Sequence, residues 1–218
     1  MIFDWNAVIN AIPALSKAAV TTLWISVVAL LLGLAIGSVI GVVRTFAPKW
    51  LAVFAQIYIG IMRGTPLVVQ IMFIYFALPM LLNIRLSATT AGVIALSANS
   101  AAYIAEIVRG GLIGVPKGLK EAGLAMGLPF YKVIVHIIAP VAFRGMIPAL
   151  GNQFVNAVKD TSLLVVIGVA ELTRTGQEIM TENYRAVEIW FLVAVIYLLI
   201  LSILSWFLRW VEHRIKIA

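Results

Sequence analysis

Asn99, Tyr103 and Glu106 stand at i, i+4 and i+7, so a helix would carry all three on one face. Their surroundings are apolar, and polar groups at membrane depth are costly unless they pair with one another or line a cavity. Asn152 and Gln153, in a later apolar run, fall level with Asn99 in the middle or outer half of a bilayer. Amide and phenol groups can donate to a carboxylate and accept from an ammonium without burying a net charge. That is chemistry suited to lining a polar pathway. The same groups would serve equally as interhelical hydrogen bonds, and Glu106 with Arg109, three residues on, reads as a structural ion pair. Nothing points to covalent chemistry: there is no H-E-x-x-H or G-x-S-x-G string, no cysteine, and no G-x-x-x-x-G-K-[ST] loop to cradle nucleotide phosphates. His136 is one of two histidines, too few to build a metal site on. The chain is expected to pass a solute rather than transform one, and to bind no cofactor itself.

The elements that must hold these residues are membrane helices. A chain of 218 residues that is 63% hydrophobic and 11% charged, with mean hydropathy +1.08, lies far from a soluble domain, where apolar content is about 45–50%. The net charge of +7 is spread through the loops rather than clustered, which suits positive-inside topology better than nucleic acid. Residues 1–17, holding Asp4 and Lys17, make no cleavable signal and read as a short interfacial segment. Spans are expected at about 18–43, 66–82, 87–108, 133–158 and 187–208. Gly33, Gly37 and Gly41 give the first span a seam that lets another backbone come close. Arg63-Gly64-Thr65-Pro66 breaks the next apolar run, leaving a short inner-surface helix at about 51–62 and placing Pro66 at the start of the second span. Pro140 and Pro148 imply kinks in the fourth span, along which polar and proline residues from His136 to Asp160 recur every fourth position and wind around the helix. The outer segment 159–186 contains an apolar stretch, 163–169, too short to cross, so it should lie along the surface or re-enter partway. Ten of the sixteen Lys and Arg residues then fall inside and five outside, which sets the N-terminus outside and the C-terminus inside.

Between the third and fourth spans lies Glu121-Ala122-Gly123-Leu124-Ala125-Met126-Gly127, followed by Ile137 and Pro140 and bordered by Lys117, Lys120 and Lys132. In this layout the loop is cytoplasmic, and a helix-turn-helix there can sit in a partner's groove and transmit its movement. Its order resembles the coupling loop of ABC-transporter membrane subunits, departing from it at Gly123, where alanine is usual, and at Ala139, where leucine is usual. The resemblance extends along most of the chain. Phe3-Asp4-Trp5, Arg63 to Pro79, Lys159 to Ile179, Arg185 to Trp190 and the closing Arg-Ile-Lys-Ile are similar to the polar amino-acid branch of ABC permeases, the histidine/glutamine permease family.

What the resemblance implies is an all-α integral membrane protein with five transmembrane helices, the type I ABC importer permease fold, and a cytoplasmic coupling helix within loop 109–132. It implies a bacterial inner-membrane location, L-glutamine as substrate, and alternating access. The implied partners are a second, identical permease copy, two ABC ATPase subunits carrying ATP and Mg, and a periplasmic glutamine-binding protein docking on 159–186. Asn99, Tyr103, Asn152, Gln153 and Gln70 become the candidate substrate contacts; Glu121, Ala122, Gly123, Gly127 and Pro140 become the candidate ATPase-coupling residues. The rival reading, an ion-coupled secondary amino-acid carrier, would want an acid deep in a span, whereas Asp4, Asp160, Glu171, Glu178, Glu182 and Glu188 sit at the edges.

Overall fold

The computed structural model describes residues 3–216; Ile217 of the closing string lies outside them. Every regular element among the described residues is a helix. Helix α1 runs from Trp5 to Phe46 without interruption. This corrects the expectation of a separate interfacial segment before residue 18. Asp4 caps α1, its carboxylate accepting from the N–H groups of Asn6 and Ala7 at 2.9 and 3.4 Å. Val8, Ala11, Leu15 and Ala18 then continue one buried stripe at helical spacing, with Pro13 on the exposed side. At 1.5 Å per residue α1 is roughly 63 Å long, about twice the ~30 Å hydrocarbon core, so much of it must tilt or project.

Helix α2 (Lys49–Gly64) and helix α3 (Leu67–Leu82) meet at Thr65-Pro66 with a bend of 106°. The break falls where the sequence placed it, with Pro66 just ahead of the first turn of α3. Yet α2 is no free surface helix: Tyr58 Oη donates to the Ala98 carbonyl at 2.6 Å, and Ile59 packs against Ala102 and Ala105. Helix α4 (Ala88–Ile113) is followed by the short α5 (Lys117–Ala125) and then by α6, residues 130–160. A 3-10 segment, Thr161–Ile167, leads to α7 (Leu172–Asn183) and α8 (Ala186–Lys216). Four helical stretches are long and apolar enough to cross a membrane, and the bent α2–α3 pair supplies a fifth crossing if it counts as one. Alone, α3 would reach roughly 24 Å, short of the hydrocarbon thickness.

The glycine seam of α1 is filled by α4 of the same chain. A Cβ at Gly37 would lie 2.5 Å from the Ala101 carbonyl oxygen; one at Gly33 would meet Ser100 Cβ at 2.8 Å, and one at Gly41 the Ala105 carbonyl oxygen at 2.7 Å. The partners advance with the glycines, so the two helices run parallel at backbone contact. Pro79 and Pro140 each follow a wide π turn, at Phe73–Ala77 and Ile134–Ile138. A widened turn makes room for the ring that would otherwise strike the carbonyl four residues back.

The stretch after α6 is embedded rather than superficial. Leu164 and Ile167 belong to the cluster of Ile25, Ile71, Ala91 and Ala95, and Leu164 fills the space beside Gly92. Glu171, fully buried, caps α7 by accepting from the N–H groups of Thr173 and Arg174 and from the Tyr197 hydroxyl. Burial pushes its carboxyl up from the usual carboxylate range, against those hydrogen bonds, which favour the charged form.

Gly37→Ala should therefore abolish most of the folded, monodisperse protein recovered in detergent, because the clashing atom is backbone. Gly60→Ala, with nothing within 4 Å of the added carbon, should leave recovery near that of the parent. Size-exclusion profiles of the two variants at equal expression check the pair.

Candidate functional site

The polar residues of α4 converge on the break between α2 and α3. Gln70 is buried, and its Nε2 donates to the carbonyls of Met62 at 2.8 Å and Thr65 at 3.1 Å and to Thr65 Oγ1 at 2.8 Å. Its Oε1 accepts from Asn99 Nδ2 at 3.1 Å, and Asn99 also reaches the Met62 carbonyl at 3.3 Å. A chain that turns through 106° at this depth leaves the last carbonyls of α2 without helical partners. Gln70 and Asn99 supply the missing donors. Both were predicted as solute contacts; the structure commits the Gln70 amide and the Asn99 Nδ2 to holding the break.

Beside this clasp lies a cavity of about 320 Å³. Thr65, Pro66 and Leu67 form one wall, Asn99 and Tyr103 of α4 a second, and Gln153, Asn156 and Asp160 of α6 a third. Gln153 is 5% exposed, and its amide makes no hydrogen bond among the described residues. The amide is open towards the cavity, where its N–H and carbonyl groups are available to a polar guest. Asp160 is half-buried and forms neither ion pair nor hydrogen bond among the described residues. The sequence put it at the edge of a span; in the fold the last residue of α6 lines the cavity. Tyr103 presents its ring to the cavity while the Arg63 guanidinium lies over that ring, Cζ 5.3 Å from the centroid. A donor–acceptor amide and a lone carboxylate in one small chamber can hold an amide and an ammonium of the same solute.

Asn152 does not join them. One step along a helix separates it from Gln153 by about 100°, and it lines a separate cavity of about 250 Å³ with Ser205, Arg209 and Glu212 of α8. Among the lining residues that sequence reasoning did not assign to the site are Thr65, Pro66 and Leu67 at the break, and Asn156 and Asp160, the last members of the winding stripe. Their period of four was visible; the depth at which α6 stops was not.

Glu106 carries more than its expected pair. Arg109 Nη2 lies 3.0 Å from Oε2, Arg44 of α1 contacts Oε1, and Arg63 Nη1 stands 3.8 Å from Oε2. Three helices are thus tied at one carboxylate.

The α5 turn places the other set of candidates. Glu121 and Ala122 are exposed on α5, together with the apolar Leu119, Leu124 and Met126. Gly123 is buried against α6: a Cβ there would come 2.7 Å from Ile137 Cδ1 and 3.1 Å from Val133 Cγ2. The face of α5 that carries Gly123 is thus covered by the chain's own next helix. Gly127 lies beyond α5 at φ +78°, a left-handed turn that L side chains adopt at a cost of about 1–2 kcal/mol. Pro140 sits apart, beside an apolar groove between α1 and α6.

The sequence matches the family model for the binding-protein-dependent transport system inner membrane component over residues 33–217. It is 54% identical to the glutamine transport system permease protein GlnP of Escherichia coli K12 over 219 residues, with 100% of each chain covered. It is 36% identical to the arginine transport system permease protein ArtQ of Bacillus subtilis 168, with 99% of each covered. The crystal structure of an amino acid ABC transporter with histidines is similar at a TM-score of 0.92 and 34% identity, covering 98% of this chain and 100% of that one. An inward-facing form of the MetNI methionine ABC transporter shares the fold at a TM-score of 0.81 and 20% identity, covering 93% and 96%.

Removing Gln70 takes a donor from the Thr65 carbonyl and one of two donors from the Met62 carbonyl, and leaves Asn99 Nδ2 without its side-chain partner. Gln70→Ala should cost about 1–3 kcal/mol of stability, seen as a lower melting temperature in detergent. Combined with Asn99→Ala it should cost less than the two separately, since the groups share one network.

Proposed function

The chain belongs to the family of binding-protein-dependent transport system inner membrane components, and on that premise we propose that it carries L-glutamine inward across the bacterial inner membrane. ATP and Mg are bound by two separate ABC ATPase subunits, and a second copy of this chain completes the pathway. A periplasmic glutamine-binding protein delivers the substrate to the face formed by α7 and the first turns of α1. The N-terminus is periplasmic and the C-terminus cytoplasmic, so that Arg44 and Arg109 lie at the cytoplasmic ends of their helices.

The observation that carries the substrate assignment is the unpaired Gln153 amide in the same cavity as the unpaired Asp160 carboxylate. Glutamine has an amide at one end and an ammonium at the other. Gln153 can donate to and accept from the amide; Asp160 can accept from the ammonium. Tyr103 and Asn99 line the path between them, and Asn152, on the far face of α6, is left out of the site. The broken α2–α3 pair beside the cavity supports the same reading, because broken helices recur where transporters hold their substrates near the midplane. Transport proceeds by alternating access, in which ATP closes the ATPases and the α5 turn moves with them. A solute biases that equilibrium only as far as it binds the two states differently.

Uptake of radiolabelled L-glutamine into vesicles holding the complete complex is the direct test. Accumulation should need ATP and the ATPase subunits, and unlabelled glutamine should compete better than arginine or histidine. Uptake that persists without the ATPase subunits would overturn the assignment in favour of an ion-coupled carrier. Asp160→Asn should weaken glutamine binding to the permease about tenfold to a hundredfold, the equivalent of one charge-assisted hydrogen bond.

Coupling has its own test. Gly127→Leu forces a β-carbon into the left-handed turn after α5. The variant should either lose co-purification with the ATPase subunits or hydrolyse ATP without moving glutamine; full coupling at normal assembly would contradict the role given to this turn.

A further inference from the structure

Glu106 has two carboxylate oxygens and three guanidinium groups around it. Arg44 takes Oε1 and Arg109 takes Oε2 at 3.0 Å, whereas Arg63 stands off at 3.8 Å and is the most exposed of the three, at 44%. The cluster therefore holds surplus positive charge, and Arg63 is the member least bound. Its guanidinium rests on the ring of Tyr103, a residue of the cavity wall. Thr65, two residues after Arg63, begins the opposite wall. Arg63 thus borders the chamber at the end that Tyr103 closes.

The chamber itself is short of one charge. Asp160 is the single carboxyl group in its lining, and as a carboxylate it matches the ammonium of an amino acid. The carboxylate on the same carbon finds only neutral groups in that lining, and an anion at membrane depth without a cation is strongly disfavoured. A guanidinium stacked on an aromatic ring keeps its N–H edges free and can grip a carboxylate through two parallel hydrogen bonds. We propose that Arg63 receives the α-carboxylate of the substrate, leaving Glu106 held by Arg44 and Arg109. This rests on the reading of the cavity as an amino-acid site. It assigns the α-carboxylate to a side chain outside the cavity lining, and it makes Arg63 a determinant of specificity for amino acids over plain amines.

The test compares two probes on the permease–ATPase complex in nanodiscs, without a binding protein: L-glutamine, and 4-aminobutanamide, which keeps the amide and ammonium but lacks the carboxylate. The parent complex should prefer glutamine by tenfold or more. In Arg63→Gln the glutamine affinity should fall at least tenfold while that for 4-aminobutanamide changes less than twofold, so that the preference disappears. A merely structural role would weaken both probes alike, and that result overturns the proposal, as does a preference left intact. Should Arg63→Gln fail to assemble, Arg63→Lys decides: it keeps the charge but loses the fork, and the preference should drop severalfold; an unchanged preference overturns the proposal. If the parent binds neither probe, the amino-acid reading of the cavity fails and the assignment of Arg63 falls with it. If the parent discriminates and the variants still do, only Arg63 is misassigned.

Discussion

Within a bilayer no layer of water drives one helix against another, so a bundle of apolar helices must be held by close packing and by hydrogen bonds that lipid cannot replace. The contact of α1 with α4 meets the first condition. Gly33, Gly37 and Gly41 bring the α1 backbone against the carbonyls of Ala101 and Ala105, and no side chain larger than hydrogen fits between. That seam is the fixed axis of the molecule. Clusters on either side use it as a wall: Ile25 and Ala29 with Ile71 and Leu164 towards one end, Ile104 and Val108 with Ala142 and Met146 towards the other. Because α1 is so much longer than α4, its free N-terminal turns are left to α7 and α8, where Leu15 meets Leu172 and Ile189.

The second condition explains where the polar residues went. A sharp bend inside the bundle exposes carbonyls, and Gln70 and Asn99 answer them. Three arginines crowd one glutamate at the far end of the seam, and a buried glutamate caps α7 with no cation in contact. After those demands are met, Gln153 and Asp160 remain without partners, and both face the same cavity. Neither has a hydrogen bond or ion pair among the described residues, whereas the buried Gln70, Asn99 and Glu171 each hold a backbone group.

Much of this was legible in the sequence and some of it could not have been. The break at Arg63-Gly64-Thr65-Pro66 was readable because glycine and proline act locally, and the glycine period of α1 was readable because spacing alone defines a helix face. The number of crossings followed from apolar length. What failed were statements that depend on depth. Residues 5–17 are polar enough to look like an interfacial segment, yet nothing in them stops a helix, and tertiary packing of Val8, Ala11 and Leu15 extends α1 through them. Asp160 looked peripheral because it follows the last apolar turn of α6, but the 3-10 segment beyond it is itself buried. Gln70 and Asn99 have the chemistry for a solute, and what the sequence could not tell is that their amide N–H groups also serve backbone carbonyls at the break. Which neighbour Gly123 meets was not readable either: Val133 and Ile137 of the same chain lie beside it.

That last detail bears on how movement travels. Because α5 packs on α6 through a glycine with Ile137 Cδ1 where a β-carbon would be, the two cannot slide past one another without losing contact. A push on α5 is therefore delivered to the first turns of α6. The wide turn at Ile134–Ile138 and the prolines that follow are the pliable points of that helix, and beyond them it runs to Asp160. From Ile137 to Asp160 is roughly 35 Å at 1.5 Å per residue. The same helix thus has its contact with α5 at one end and Gln153 and Asp160 towards the other, while α4, in the opposing wall, forms one side of the glycine seam. Moving α6 against them changes the distance between Asp160 and Tyr103, and with it the fit of any solute that touches both.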